Sequence, residues 1–157
     1  MPTTELHVTM PSDREVRHTR AFAAPPRLVF AALTRPDLLA RWYGPTGWTL
    51  VVCEIDLRVG GAWRFVTRKP DGREIVHFGV YREIVPDRRL VNTEHWADWD
   101  VGEVLVTSEL ENRDDTTTLT LTTRYPSREI RDELLAAGAD RHAREHYDKL
   151  EAFVVAG

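Results

Sequence analysis

The stretch "VGGAWRFVTRKPDGREIVHFGVYREI", residues 59–84, decides the fold. Apolar and polar residues alternate on both sides of Asp71-Gly72, a dipeptide suited to a hairpin turn. The period of two predicts an antiparallel pair, Trp63–Lys69 with Ile75–Ile84. Gly60-Gly61 precedes the first strand. A phosphate cradle needs a helix N-terminus directly behind its glycines, and here a strand follows. The pair is therefore read as a tight turn or bulge that only glycine reaches. Asp56 and Arg58 beside it are read as turn and surface residues.

The same period extends outward. Val51, Cys53, Ile55 and Leu57 alternate upstream. Downstream, Pro86-Asp87 marks a turn, Leu90–Trp96 reads as a strand, and Val104, Val106, Ser108 and Leu110 alternate in another. Asn112–Asp115 turns the chain into the threonine-rich run Thr117–Tyr125, and threonine favours strands. Before this block, Val16–Phe22 reads as a strand. Two short helices follow, one starting at Pro25-Pro26 and one after Pro36, with "YGPTG" ending the second. From Ser127, a plausible N-cap, to Val155 the period is helical, with a break at Gly138. Strands bounded by helices predict an α+β fold with an antiparallel sheet and the helices on one face. We expect about six to seven strands, curved around a long C-terminal helix that closes a cavity. Residues 1–13 are polar and read as a flexible segment, and 14–157 as a single domain.

Bulk properties narrow the function. The 157 residues carry a net charge of −4, with basic residues scattered, so nucleic acid is an unexpected partner. No apolar run is long enough for a membrane span, and the N-terminus lacks a signal-peptide layout. The expectation is a cytoplasmic protein, with a homodimer left open. Cys53, the sole cysteine, excludes an intrachain disulfide.

The segments "FAAPPRLVFAALTRPDLLARWYGP", "EIDLRVGGAWRF", "PDGREIVHFGVYREIVPDRRLV" and "YPSREIRDELLAAGADRHAREHYDKLEAF" resemble the family named for the activator of the heat-shock protein 90 ATPase. That family lies in the START-like, Bet v 1-like, helix-grip group of hydrophobic-ligand-binding domains. Residues 56–61 with Trp63, Phe65, Asp71-Gly72 and Gly79 carry the likeness most specifically. The resemblance implies a helix-grip fold, a small apolar ligand and no cofactor. It also brings two alternatives, a stress-response co-chaperone acting on a partner ATPase and a cavity enzyme. The eukaryotic co-chaperone's additional N-terminal region has no counterpart here. Many relatives carry glycine and methionine where this chain has His142 and Ala143, a change expected to narrow or polarise the cavity.

Candidate ligand-binding residues are Trp42, Trp63, Phe65, Phe78, Val80, Trp96, Val104, Val106, Leu121, Ala143, His146, Tyr147 and Leu150. They combine apolar walls with a few polar groups, as small-molecule pockets do. Trp63 and Phe65 share a strand face, so both should line the cavity if either does. Trp96 and Trp99 fall at a strand end, where aromatics gate a pocket or an interface. His146 sits in the helix stripe Ala139, Ala143, His146, Leu150, Phe153, as a bonded core residue or a polar handle. His77 and His95 are read as outer-face residues, and the facing of Glu54, Glu83 and Glu94 is left open.

His142, Glu145 and His146 spell H-x-x-E-H, the signature of one zinc-peptidase class. A catalytic zinc needs three protein ligands, and the next positions on this helix face are Lys149 and Leu150. No metal is expected. No nucleophile stands beside a base, so no catalytic residue is assigned and an enzyme is not demanded. An enzymatic alternative would need an acid/base pair facing the cavity.

Overall fold

The computed structural model describes residues 5–156. The elements are β1 (His7–Thr9), β2 (Glu15–Phe22), α1 (Pro26–Thr34), α2 (Pro36–Trp42), β3 (Thr49–Ile55), β4 (Ala62–Arg68), β5 (Glu74–Val85), β6 (Arg89–Trp96), β7 (Trp99–Arg113), β8 (Thr116–Arg124), α3 (Arg128–Ala136) and α4 (Ala139–Val155). All eight strands form one antiparallel sheet in the order β1-β2-β8-β7-β6-β5-β4-β3. α4 packs on the inner face of this curved sheet, and α1 and α2 close one end of the space between them.

The prolines that open α1 and α2 stand at N1, where a missing N–H costs nothing and a fixed φ helps. Ser127 caps α3 by accepting the Ile130 N–H at 3.2 Å. Inner positions of β2 are Val16, His18, Arg20 and Phe22, all buried, while the residues between them stay half-exposed. Trp42, Phe22, Leu39, Leu119 and Leu150 are the largest fully buried side chains. Each contributes about 1.5–3 kcal/mol from burial alone.

Polar ties also fasten α4 to the sheet. Arg20 on β2 donates to Asp148 at 2.6 Å and to Glu151, both on α4. His18 pairs with Asp140 at 3.0 Å, in the first turn of the same helix. The inner face of β2 is thus polar where it meets the helix's charged flank.

Two departures from the sequence reading concern strands. β1 lies inside the segment expected to be flexible and pairs His7–Thr9 with Arg17–Thr19 of β2. Residues 1–4 of that segment lie outside the described residues. A three-residue strand at a sheet edge is too short to show a period, which is why it was not legible.

The second departure is register. A two-residue Asp71-Gly72 turn would set Phe65 opposite Phe78. The β4–β5 turn is one residue longer, closed by the Lys69 N–H to Arg73 carbonyl bond at 2.8 Å. Phe65 therefore stands opposite His77 and Arg64 opposite Phe78. A shift of one residue moves every β5 side chain to the other face. Phe78 and Val80, expected as cavity walls, lie on the outer face at 40% and 38% exposure, with Phe78 stacked on His95. His77, expected outside, is buried on the inner face.

Gly79 follows from the same geometry. The Trp63 indole, opposite Gly79 on β4, donates to the Thr93 carbonyl at 3.1 Å. A Cβ on Gly79 would stand 1.9 Å from that carbonyl oxygen and 2.8 Å from the indole nitrogen. At Gly61 a Cβ would meet the Asp56 carbonyl oxygen at 2.0 Å. Close backbone approach, rather than anion binding, is what these glycines allow.

Candidate functional site

The space between α4 and the sheet holds two adjoining compartments. The inner one, about 220 Å³, is walled by Leu33, Leu39, Trp42, Trp63, Phe65, Tyr81, Leu90 and Val106, with Asn92, Ser108 and Thr123 among them. The outer one, about 540 Å³, is walled by Trp48, Ile75, Trp96, Tyr125, Leu134, Ala137, Ala139 and Ala143, with His18, Thr67, Lys69 and His142 at polar positions. Tyr43, His77, Glu94, Leu121, His146 and Tyr147 line both. Two histidines, two tyrosines and a carboxylate meet at this junction.

His77 on β5 and Glu94 on β6 are held together by the sheet. His77 Nδ1 lies 3.0 Å from Glu94 Oε1, and His77 Nε2 lies 3.4 Å from the Tyr43 hydroxyl. The imidazole is boxed by Trp63 and Phe65, each at 5.5 Å and 89°, and by Tyr43 at 6.1 Å. Tyr43 follows directly on α2, its N–H closing that helix on the Leu39 carbonyl. Burial is the largest cause holding its hydroxyl well above the ordinary tyrosine pKa, with the Glu94 charge adding to it. Tyr43 is therefore a neutral phenol at physiological pH.

His146 approaches the junction from α4. Its Nδ1 accepts the Gly44 N–H at 3.0 Å, which fixes the loop after Tyr43 against the helix. Its ring packs on Trp42 at 4.7 Å and Tyr43 at 4.6 Å. Burial, then Lys149 and His77, push its pKa down to about 3. The ring is neutral, and because Nδ1 is an acceptor the proton sits on Nε2. Tyr147 beside it is pushed above the usual tyrosine range by burial, so its hydroxyl is also protonated.

Of the residues read from the sequence, Trp42, Trp63, Phe65, Val106, Leu121, His146 and Tyr147 line the inner compartment. Trp96 and Ala143 line the outer one. Val104 is buried instead in a second cluster with Val16 and Tyr125, and Leu150 in the main core, so neither faces the cavity. Tyr43, His77 and Glu94 were not selected. The register that hid His77 follows from the turn length, and Tyr43 sits in a loop read only as a helix terminator.

His142 and His146 do not converge on one point. His142 packs on Trp48 at 5.6 Å while His146 is committed to Gly44. Among the described residues no group of three or more His, Cys, Asp or Glu side chains is arranged to hold a metal ion. Cys53 is half-buried and its thiol is pushed up to about 11 by burial, which makes it a poor nucleophile. Among the described residues no helix is long and apolar enough to cross a membrane.

No curated protein matches the chain by sequence. Solved structures do. A protein from Rhodobacter sphaeroides is 31% identical, with 98% of this chain and 99% of that one covered and a TM-score of 0.91. A protein from Mycobacterium smegmatis is 20% identical over 98% of this chain and 99% of that one, with a TM-score of 0.87. An Arthrobacter aurescens protein is 22% identical over 99% and 94%, again with a TM-score of 0.87. The last two likenesses speak for the fold alone. The sequence profile of one family matches residues 23–154, nearly the whole chain including both walls of the cavity. The chain belongs to the family of activator of Hsp90 ATPase homolog 1-like proteins.

Proposed function

We propose that this protein binds a compact, largely apolar and uncharged molecule in the space between α4 and the sheet. One observation carries the reading. Two compartments of about 220 and 540 Å³ adjoin through a junction of six residues, which is the size and chemistry of a small-molecule site. Aromatic and aliphatic walls supply affinity through apolar burial. The Tyr43 and Tyr147 hydroxyls and the His146 Nε2–H supply neutral hydrogen-bonding groups. A carboxylate ligand would meet the Glu94 charge at the junction, so an uncharged ligand is favoured over a fatty acid.

The partner-ATPase alternative came with the family resemblance, and an exposed apolar patch at Trp96 and Trp99 would favour it. Both indoles are half-buried, their rings 5.8 Å apart, and Trp96 turns toward the outer compartment. No observation at this hairpin favours that alternative over ligand binding.

The neutral probe N-phenyl-1-naphthylamine tests the reading. It should quench tryptophan emission saturably at one probe per chain, with Kd of about 1–100 μM, or roughly 5–8 kcal/mol of binding free energy. Linear, unsaturable quenching would reject the reading.

A further inference from the structure

We propose that Glu94, His77 and Tyr43 form a proton relay in which His77 Nε2 removes an α-proton from a neutral ketone held at the junction of the two compartments. The inference rests on the apolar-ligand reading above and adds a reaction to it. A cavity enzyme needs an acid/base pair facing the cavity, and the β4–β5 register brings one there.

Each group has a defined part. Glu94 accepts from His77 Nδ1 at 3.0 Å, so that nitrogen carries the ring proton and Nε2 keeps its lone pair. The only partner of Nε2 among the described residues is the Tyr43 hydroxyl, at 3.4 Å. That contact is at the long limit of a hydrogen bond and is readily exchanged for a substrate. The walls around the imidazole are the rings of Trp63, Phe65 and Tyr43, which hold its plane. Two neutral donors share the junction, the Tyr43 hydroxyl and the His146 Nε2–H. This is the set that proton transfer next to a carbonyl needs, a base on one side and hydrogen-bond donors for the oxygen on the other.

The step balances within the site. The α C–H bond breaks, and its electron pair forms the C=C bond of the enolate. The carbonyl π pair moves to oxygen, where Tyr43 and His146 donate hydrogen bonds. The proton forms a new bond to His77 Nε2, and the Glu94 carboxylate stabilises the resulting imidazolium. Replacement of the proton on Nε2 by a solvent deuteron, and return of that deuteron to the same carbon, gives hydrogen exchange; return to a conjugated carbon gives isomerisation. Glu94 touches no substrate in this scheme and acts as a positioning residue.

The test uses 2-tetralone, a compact ketone with activated α-hydrogens, in deuterated buffer. Exchange is followed by proton NMR and binding by tryptophan quenching in the same samples. The full chain should accelerate exchange above the buffer rate in a saturable way. His77→Gln should lower the rate about 100-fold or more, within the usual range for a general base. Glu94→Gln should lower it about 10-fold or more with Kd changed less than about twofold, and Glu94→Asp should restore part of it. A purely structural Glu94 would move binding and rate together, which would overturn its assignment. If His77→Gln fails to fold, the split between rate and Kd in Glu94→Gln decides the case. Saturable 2-tetralone binding with exchange at the buffer rate would overturn the relay and leave the ligand reading standing. Exchange that survives undiminished in folded His77→Gln would do the same. Failure of both 2-tetralone and N-phenyl-1-naphthylamine to bind would overturn both.

Discussion

Gly79→Ala is expected to destabilise the protein by roughly 2–4 kcal/mol, read as a lowered urea midpoint. The cause is backbone against side chain. The added Cβ would stand 1.9 Å from the Thr93 carbonyl oxygen, and neither β5 nor β6 can move without breaking its ladder. The same carbonyl accepts the Trp63 indole, so relief of the clash would displace a cavity wall. The variant should therefore also bind N-phenyl-1-naphthylamine more weakly than its residual stability alone predicts. Val80→Ala, one position on and on the outer face, serves as the control and should cost no more than about 0.5 kcal/mol. Equal costs for the two substitutions would contradict the geometry.

The second large effect is on acid stability, through His146. Its folded-state pKa is depressed to about 3 from an ordinary 6.5. The unfolded chain therefore binds a proton at this site throughout the interval between those values, and the folded chain does not. Stability from this group is complete above the unfolded pKa and falls as pH drops from about 6.5 toward 3, by up to about 1.4 kcal/mol per pH unit. His146→Asn keeps an acceptor for the Gly44 N–H but carries no titrating group. Between pH 7.5 and 4.5 the wild type should lose roughly 2–3 kcal/mol more than this variant, by urea unfolding at each pH. Other carboxylates and histidines titrate in both proteins and cancel in the difference. Parallel pH profiles would show that His146 is charged, or free to become so, in the fold.

The fold was legible because its two periods are long and well separated. Six consecutive strands alternate at two, the last helices recur at 3.6, and prolines or glycines mark the junctions. β1 escaped because three residues are too few to carry a period. The site was legible only in part, and for a different reason. Alternation tells which residues share a face but not which face is inside, and on β5 the outer face is the more apolar one. Phe78 and Val80 drew the inward assignment on hydrophobicity. A turn longer by one residue than Asp71-Gly72 alone implies reversed it, burying His77. His146 was narrowed from the helix stripe to core residue or polar handle, and the structure bonds it through Nδ1 while its ring lines the cavity. Tyr43 could not be found by periodicity because loop residues have none. The loop that places it is held by the Gly44 to His146 bond, a contact between segments 102 residues apart.

The central claim is that the ligand occupies the interior between α4 and the sheet, and Leu121 is the place to test it. Leu121 lines both compartments, on the inner face of β8, so a larger side chain there blocks the passage between them. Calorimetric titration with N-phenyl-1-naphthylamine should give one site in the wild type, with a negative heat-capacity change from apolar burial. In Leu121→Trp, verified as folded by its near-ultraviolet circular dichroism, affinity should fall about tenfold or more, equal to about 1.4 kcal/mol. Binding of unchanged affinity and stoichiometry in the folded Leu121→Trp variant would contradict the account, because the probe would then sit somewhere other than this cavity.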